Sequence, residues 1–223
     1  MKNITLIIPA KYEKESLPSV LLELKKFPFN IIVILEPTDH ETIDSIKNFD
    51  CTIIHQINKG YGDALILGIK SVKTEYFCIF NADGSFNPSE INQMFKTLQS
   101  KKLDFIFASR YQAASGSEDD TIITLVGNYI FTYIGKIFFR LNISDILYTF
   151  IIGKTEQANI LDLKQKDFSF CVELPIKAKK MKMQLGNINS YERKRIGGKK
   201  KVNAFKDGFL ILKHMIRLFF MKL

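Results

Sequence analysis

The residues best suited to chemistry follow the apolar run 76–80, where Asn81, Ala82 and Asp83 precede a Gly-Ser pair. A carboxylate in so tight a turn suits a hard, oxygen-ligated cation such as Mg²⁺ or Mn²⁺, which it would share with the phosphates of a substrate. Asp83 taken alone is also compatible with an Asx turn or a helix N-cap. Its role therefore depends on which other polar side chains lie beside it.

Polar side chains also follow three other apolar runs. Residues 9–13, Glu36 and Arg110 each come at or just after the end of such a run. Because the carboxyl ends of parallel strands meet at one edge of a sheet, we expect these groups to converge there with Asp83. The sequence has no GxxxxGK[ST], GxGxxG or GxSxG motif, and its three histidines lack metal-ligand spacing. These absences leave P-loop, dinucleotide-binding and histidine-based hydrolytic sites unsupported.

Alternating strands and helices must position these groups. The short β-branched apolar runs 4–8 and 31–35 predict strands buried on both faces, and the pattern of short strands separated by helices repeats after them. This alternation predicts an α/β, Rossmann-like single domain with a mostly parallel central sheet, flanking helices and right-handed crossovers. The predicted strands are 4–8, 31–35, 52–55, 76–80, 105–108 and, later, 182–188; the predicted helices are 20–26, 42–48, 61–72, 89–99, 156–164 and 172–182.

Length and composition set the class of protein. The 223 residues, 46% of them hydrophobic and 25% charged, suffice for one sizeable core and exclude collagen-like and disordered chains. Three cysteines without CxxC or CxxH spacing indicate neither a disulfide framework nor a structural zinc site, which fits a reducing compartment. The apolar run near the N-terminus is too short for a signal peptide, so we expect a cytosolic protein.

Positive charge is concentrated at the C-terminal end. Residues 176–223 carry 14 Lys and Arg against two acids, which indicates an anionic partner such as nucleic acid, lipid head groups or a phosphorylated substrate. Within this part, 205–223 predicts a basic amphipathic helix. Its apolar positions are 205, 209, 212, 216, 219 and 223, and the residues opposite are Lys206, Lys213, His214 and Arg217. This pattern favours an anionic membrane surface over nucleic acid; packing on the core or in a homodimer is the alternative.

A second unusual helix is predicted over 122–141. Polar residues recur at every fourth position of this otherwise apolar segment, at Thr124, Asn128, Thr132, Lys136 and Arg140. Such a helix must bury most of its circumference. We interpret it as packed on the domain and dipping into a bilayer interface rather than spanning the bilayer, with an ordinary core helix as the alternative.

Several segments, in this order along the chain, resemble a known family. IIPAKYEKESLP, EPTDHET and GYGDALILGIKSVKTEYFCIFNADGSFNP are similar to inverting family 2 glycosyltransferases of the GT-A fold. ASRY, ISDILYTF, DFSFCVELPIKAKKMKM and RIGGKKKV resemble in particular the branch that transfers mannose or glucose to dolichyl or polyprenyl phosphate. The resemblance covers nearly the whole chain. It implies a nucleotide-sugar donor, a lipid-phosphate acceptor and Mg²⁺ or Mn²⁺ as cofactor.

The resemblance also implies roles for individual residues. The nucleotide-sugar would be bound by residues near the ends of three predicted strands: Pro9, Lys11, Glu13, Ile34, Glu36, Asn81, Ala82 and Asp83. Asp83 and Asn81 would hold the metal. The catalytic residues would be Asp83, Arg110 and, from a mobile C-terminal loop, Arg195 and Lys201. Negative charge grows on the diphosphate as the anomeric bond breaks, so cations fixed beside it stabilise the transition state.

Some positions depart from the family pattern. Asn81 stands where the family usually has the first Asp of its metal motif, and Ile151 stands where it often has an Arg. Lys154 is a candidate replacement for that arginine. If the acceptor is a sugar hydroxyl, the acidic run 118–120 is a candidate source of the general base. The metal affinity and the acceptor are therefore the points on which this chain can differ from its family.

The resulting prediction is an inverting glycosyltransferase that is peripheral on the cytosolic face of a membrane. Its partners would be a nucleotide-sugar, a lipid-phosphate or glycan acceptor and an anionic membrane surface, but not nucleic acid. We divide the domain into a nucleotide-sugar-binding half (1–110), an acceptor-binding half (111–204) and the C-terminal amphipathic helix (205–223). The alternatives are the same fold acting on a glycan hydroxyl and a catalytically inactive GT-A protein.

Overall fold

The computed structural model describes residues 3–198 and 201–221. Residues 199 and 200 of the predicted basic loop, and 222 and 223 of the predicted C-terminal helix, lie outside the described residues. The strands are β1 (Ile4–Pro9), β2 (Asn30–Leu35), β3 (Thr52–His55), β4 (Tyr76–Ile79), β5 (Phe105–Ser109), β6 (Gly116–Ser117), β7 (Ile151–Lys154), β8 (Leu185–Asn189) and β9 (Tyr191–Glu192). The helices are α1 (Leu17–Leu24), α2 (His40–Ile46), α3 (Tyr61–Ser71), α4 (Glu90–Ser100), α5 (Ile122–Phe139), α6 (Thr155–Ile160), α7 (Phe170–Lys180) and α8 (Ala204–Phe220).

Seven strands form the central sheet in the order β3-β2-β1-β4-β7-β5-β8, and β6 and β9 form a small second sheet. The first four strands of the chain are parallel to one another, and β8 is parallel to β5. Helices cover both faces: α1, α2 and α4 pack on one, and α3, α6, α7 and α8 on the other. The predicted α/β architecture with a mostly parallel sheet is confirmed.

Strand β7 is absent from the predicted elements. It runs antiparallel between β4 and β5, with Ile151 opposite Ile79. This direction puts Lys154 at the amino end of β4, on the edge of the sheet opposite Asp83, where its Nζ lies 2.8 Å from an oxygen of Asp104. The prediction that Lys154 replaces the missing arginine is therefore wrong. Ile151 itself is buried in the core.

Helix α5 packs in the opposite sense to an ordinary amphipathic helix. Asn128 and Thr132 of its polar stripe are buried, whereas its apolar side chains are more than half exposed at Ile122, Ile123, Val126, Tyr129, Ile130, Tyr133, Ile137 and Phe138. In the protein without a membrane or a partner, the prediction that this helix buries most of its circumference is wrong. The helix is long and apolar enough to cross a membrane by length and composition, which by itself is weak evidence for a span.

Helix α8 has two apolar faces. Ile211, Met215 and Leu218 are buried in the core, whereas Phe205, Phe209, Leu212, Ile216, Phe219 and Phe220 are exposed. The predicted apolar stripe is therefore the outer face of the helix. His214, predicted on the basic side, is instead buried, and burial lowers the pKa of its imidazole.

The outer sides of α5 and α8 adjoin. The ring centroid of Phe219 lies 5.8 Å from that of Phe138, and α5 and α8 pack against each other. The exposed apolar side chains named above for the two helices adjoin at Phe138 and Phe219, and we call them together the apolar face. Lys206, Lys213 and Arg217 are exposed on α8 beside it.

Glycine is required where α3 meets the segment 164–167. A Cβ on Gly62 would lie 2.1 Å from the carbonyl oxygen of Gln165. That segment cannot retreat easily, because the buried Glu173 carboxylate accepts hydrogen bonds from the backbone N–H groups of Lys164 and Gln165. We expect Gly62→Ala to lower the free energy of unfolding by about 1–3 kcal/mol, the usual cost of overpacking.

Denaturant unfolding measures this effect, and Gly127→Ala is its matched control. Gly127 lies within α5, and a Cβ there has no other atom within 4 Å. Since alanine is the better helix former, Gly127→Ala should raise the free energy of unfolding by about 0.5–1 kcal/mol. A Gly62→Ala protein as stable as the wild type would show that the segment 164–167 is free to move.

Candidate active site

The carboxyl ends of the parallel strands open into a cavity of about 560 Å³, a size typical of small-molecule sites. Its walls come from the ends of β1, β2 and β4, the beginnings of α3 and α5, and the C-terminal residues Arg195, Lys201 and Val202. Every predicted site residue except Ile34 lines this cavity: Pro9, Lys11, Glu13, Glu36, Asn81, Ala82, Asp83, Arg110, Arg195 and Lys201. Tertiary structure thus brings together groups up to 192 positions apart in the sequence.

Ile34 does not belong to the site. Its side chain is fully buried in the hydrophobic layer between the sheet and α3. The physical reason is its position inside β2, because a residue within a central strand is covered by the helix packed on that face. Glu36, just beyond the end of β2, lines the cavity. The prediction that Ile34 binds the nucleotide-sugar is therefore wrong.

Asp83 forms the Asx turn that its sequence context allows, and its second carboxylate oxygen lies beside a cationic side chain. Its Oδ1 accepts hydrogen bonds from the backbone N–H of Ser85 at 3.0 Å and from the Ser85 hydroxyl at 2.7 Å, which makes an Asx turn. Its Oδ2 lies 3.3 Å from Nη2 of Arg195. The turn therefore uses one carboxylate oxygen and leaves the other directed at a cationic group.

The chain after β9 lies across this turn. Its backbone N–H groups at Arg193 and Ile196 donate to the carbonyls of Ser85 and Asp83, each at 2.8 Å. Gly84 has a φ of +83°, and a Cβ there would lie 2.5 Å from the Ile196 side chain. Only glycine permits both this turn and the close approach of the segment that carries Arg195.

The cations at the mouth of the cavity are held by carboxylates of the same cavity. The hydrogen bond that Lys11 donates to the Glu36 carboxylate raises the pKa of Lys11, and the hydrogen bonds that Arg195 donates to Asp119 raise the pKa of its guanidinium. The ion pairs are Lys11–Glu36, Lys201–Glu13 and Arg195–Asp119. An entering diphosphate would exchange these carboxylate partners for phosphate oxygens.

Arg110 is held deeper in the cavity. Asp145 binds it bidentately, with Nε to Oδ2 at 2.8 Å and Nη2 to Oδ1 at 3.1 Å, and its Nη1 donates to Glu192 at 3.1 Å. Its guanidinium carbon lies 4.5 Å from the ring centroid of Tyr148. Burial raises the pKa of Glu192 in spite of the neighbouring guanidinium. These contacts fix the guanidinium in one orientation.

The sequence patterns miss several residues of this site. Asp145 lies in the ISDILYTF segment but receives no role from its local pattern, because its partner Arg110 is 35 positions away. Glu192 is one of two acids in a strongly basic region, and that isolation is a signal that could have found it. Tyr61 follows the Gly60 turn, and its hydroxyl lies 2.7 Å from that of Thr149.

The order of these elements and the position of the site match a known family. The model described as "Glycosyl transferase family 2" matches residues 5–158. The chain belongs to glycosyl transferase family 2. It is therefore a glycosyltransferase that uses a nucleotide-sugar, and the cavity at the carboxyl edge of its sheet is the candidate active site of this enzyme.

Curated relatives resemble the glycosyltransferase over most of its length. An uncharacterised protein of Methanocaldococcus jannaschii is 25% identical over 83% of this chain and 79% of its own length. The UDP-N-acetylglucosamine–dolichyl-phosphate N-acetylglucosaminyltransferase of Methanococcus voltae is 23% identical over 84% of each chain.

Solved structures show the same GT-A fold. Glucosyl-3-phosphoglycerate synthase of Mycobacterium tuberculosis, in complex with Mn²⁺, UDP and glucosyl-3-phosphoglycerate, superposes with a TM-score of 0.75 at 10% identity, over 96% of this chain and 79% of that one. Mannosyl-3-phosphoglycerate synthase of Rubrobacter xylanophilus has a TM-score of 0.67 at 11% identity, over 96% and 72%. At such identities the likeness supports the fold of the glycosyltransferase and leaves its acceptor open.

Proposed function

We propose that this glycosyltransferase moves a sugar, with inversion, from a nucleotide-sugar to a phosphate carried by a polyprenyl lipid, as a peripheral protein on the cytosolic face of a membrane. The observation that carries the proposal is the position of the apolar face beside the cavity. Thr124 and Asn128 line the cavity from one side of α5, while Ile123, Val126 and Ile130 are exposed on its other sides. A lipid lying along α5 would place its head group at the cavity.

The apolar face suits a bilayer more than it suits water. Soluble proteins rarely expose large contiguous apolar surfaces without a partner. Here two helices expose aromatic and aliphatic side chains together, and exposed lysines and an arginine lie beside them on α8. A bilayer with anionic lipids would bury the apolar side chains and attract the basic ones, by about 1 kcal/mol for each Lys or Arg near the surface.

The comparisons support a phosphorylated acceptor. The Methanococcus voltae relative acts, by its name, on dolichyl phosphate. The Mycobacterium tuberculosis neighbour is a glucosyl-3-phosphoglycerate synthase and has been solved with phosphoglyceric acid. A phosphate-bearing acceptor is common to both names, and of the two acceptors the lipid is the one that the apolar face favours.

The cavity also fits the divalent cation that we propose as cofactor, Mg²⁺ or Mn²⁺. Asp83 and Asn81 offer oxygen atoms, which such hard cations prefer, and both residues line the cavity. The described residues contain no group of three His, Cys, Asp or Glu side chains placed to hold a metal. Asp83 and Asn81 would therefore hold it together with donor phosphates, and it would stabilise negative charge on the leaving diphosphate.

Basic side chains of the protein would neutralise the remaining phosphate charge. Arg195 and Lys201 would neutralise phosphate oxygens at the mouth of the cavity, and Arg110 would do so deeper in. A phosphate acceptor is already an anion and needs little help from a general base. Asp120, which belongs to the acidic run 118–120, accepts hydrogen bonds from the Tyr111 and Thr124 hydroxyls. These contacts suit a residue that positions its neighbours rather than a general base.

An acceptor assay tests the proposal. Purified protein, Mn²⁺ or Mg²⁺ and a panel of UDP- and GDP-sugars would be incubated with a polyprenyl phosphate in anionic vesicles, with 3-phosphoglycerate, or with a soluble oligosaccharide. We expect sugar to pass to the vesicle-borne lipid, with release of the nucleoside diphosphate. Polyprenol of the same chain length, which lacks the phosphate, is the matched control.

Two results would contradict the proposal. Transfer to the oligosaccharide or to 3-phosphoglycerate, with none to the lipid, would assign a water-soluble acceptor. Absence of nucleotide release from every donor, in protein that binds one of them, would identify a catalytically inactive GT-A protein.

A further inference from the structure

The Arg195 guanidinium lies between two carboxylates that come from different parts of the chain. Its Nε and Nη2 donate to the two oxygens of Asp119, each at 3.0 Å, and Nη2 also lies 3.3 Å from Oδ2 of Asp83. All three side chains line the cavity. The positive charge of Arg195 therefore lies beside Asp83, the residue of the metal motif that retains a carboxylate.

The negative charges around Asp83 explain why Arg195 lies between two carboxylates. Asn81 contributes an oxygen but no negative charge, so Asp83 alone would be a weak site for a divalent cation. Asp119 brings a second negative charge to the same point, and its side chain is only 14% exposed. Two carboxylates this close are stable when a cation lies between them. In the free protein the cation is Arg195.

We propose that Asp119 is a second carboxylate of the cation site, and that Arg195 occupies this site until a divalent cation displaces it. The displaced guanidinium then becomes available to the diphosphate of the donor. This inference rests on the proposed function only for the presence of a divalent cation and a donor diphosphate at Asp83; it does not depend on the acceptor.

The local backbone allows this exchange. The hydrogen bonds from Arg193 N–H and Ile196 N–H hold the chain on either side of Arg195 against the turn at 83–85. These contacts use backbone atoms alone, so the long side chain can leave the carboxylates without releasing the segment. The movement required is a change of rotamer, which is fast compared with the opening of a loop.

Titration of Mn²⁺ alone, with free Mn²⁺ measured by electron paramagnetic resonance and no nucleotide-sugar present, tests the proposal. We expect Arg195→Gln to tighten Mn²⁺ binding about tenfold, because the competing charge is gone. In the Arg195→Gln background, Asp119→Asn should weaken binding about tenfold. The matched control is Arg193→Gln: Arg193 is also an arginine of this segment but pairs with Glu23, so its loss should leave the affinity unchanged.

Two results would overturn the inference. One is an Arg195→Gln protein that melts normally and binds Mn²⁺ no more tightly than the wild type. The other is an Asp119→Asn change that leaves the affinity of the Arg195→Gln protein unaltered. Either result, combined with normal transfer to polyprenyl phosphate, would rule out the exchange of Arg195 for a cation while leaving the proposed function intact. The expected Mn²⁺ affinities without transfer to the lipid would support the exchange and contradict the proposed function.

Discussion

Asp83→Asn is expected to lower turnover by about 10²-fold or more while leaving the free energy of unfolding nearly unchanged. The amide oxygen can still accept the two hydrogen bonds from Ser85 that form the Asx turn. The negative charge, however, is lost from the site where a cation would neutralise the departing diphosphate. A 10²-fold loss corresponds to about 2.7 kcal/mol of transition-state stabilisation, within the range that one bound metal ion supplies.

Release of nucleoside diphosphate from the donor measures this effect, and two further variants separate charge from structure. Asp83→Ala removes both the charge and the turn, so it should lose activity and stability together. Ser85→Ala removes the hydroxyl that donates to Asp83 but keeps the carboxylate, and it should retain most of the activity. A folded Asp83→Asn protein with turnover close to that of the wild type would show that Asp83 is only a turn residue.

The paired substitution Phe205→Glu and Phe209→Glu is expected to lower partition onto anionic vesicles by at least about 10²-fold. The two rings are 82% and 68% exposed, so they add little to the folded core but are available to acyl chains. Burial of one such ring contributes about 1.5 kcal/mol or more, and two contribute about 3 kcal/mol. Flotation on a density gradient measures the partition, which should also weaken as salt rises.

The matched control replaces two exposed apolar residues elsewhere on the surface, Leu22→Glu and Ile57→Glu. It changes the net charge by the same amount and should leave vesicle binding within a few-fold of the wild type. Both paired variants should melt close to the wild-type temperature, because exposed side chains hold little of the core. A wild-type protein that stays unbound at low salt and instead sediments as a dimer would show that a second copy covers the apolar face.

Local patterns were sufficient for most of the secondary structure and for the location of the site. Short, mainly apolar runs predicted β1 to β5, because strands buried on both faces need apolar side chains on both sides. The polar residues after those runs predicted the edge of the sheet where the cavity lies. Helix boundaries differ from prediction by up to four residues, because helix ends depend on capping contacts.

Ile34 and Lys154 show where the local reasoning stopped being sufficient. Ile34 lies inside its strand, two positions before Glu36, which lines the cavity, and the end of that strand depends on its neighbours in the sheet. Lys154 lies at the opposite edge because β7 enters the sheet antiparallel. The direction of a strand follows from the connection that delivers it, and that connection passes through α5 and the segment 140–150.

Sequence alone determined the family, the α/β alternation, the cation-suited turn at Asp83 and the existence of two helices with long apolar stripes. Each of these features depends on residues that are close together in the sequence. Only the tertiary structure decided which side of each helix faces outward. In α5 the buried side is the polar one, since the Asn128 amide bonds Asp145 and the Thr132 hydroxyl accepts the backbone N–H of Ile146. Those partners lie 14 to 17 positions away. Periodicity shows that a helix has two different sides, but the side that packs inward depends on the hydrogen-bonding groups that the rest of the chain places against it.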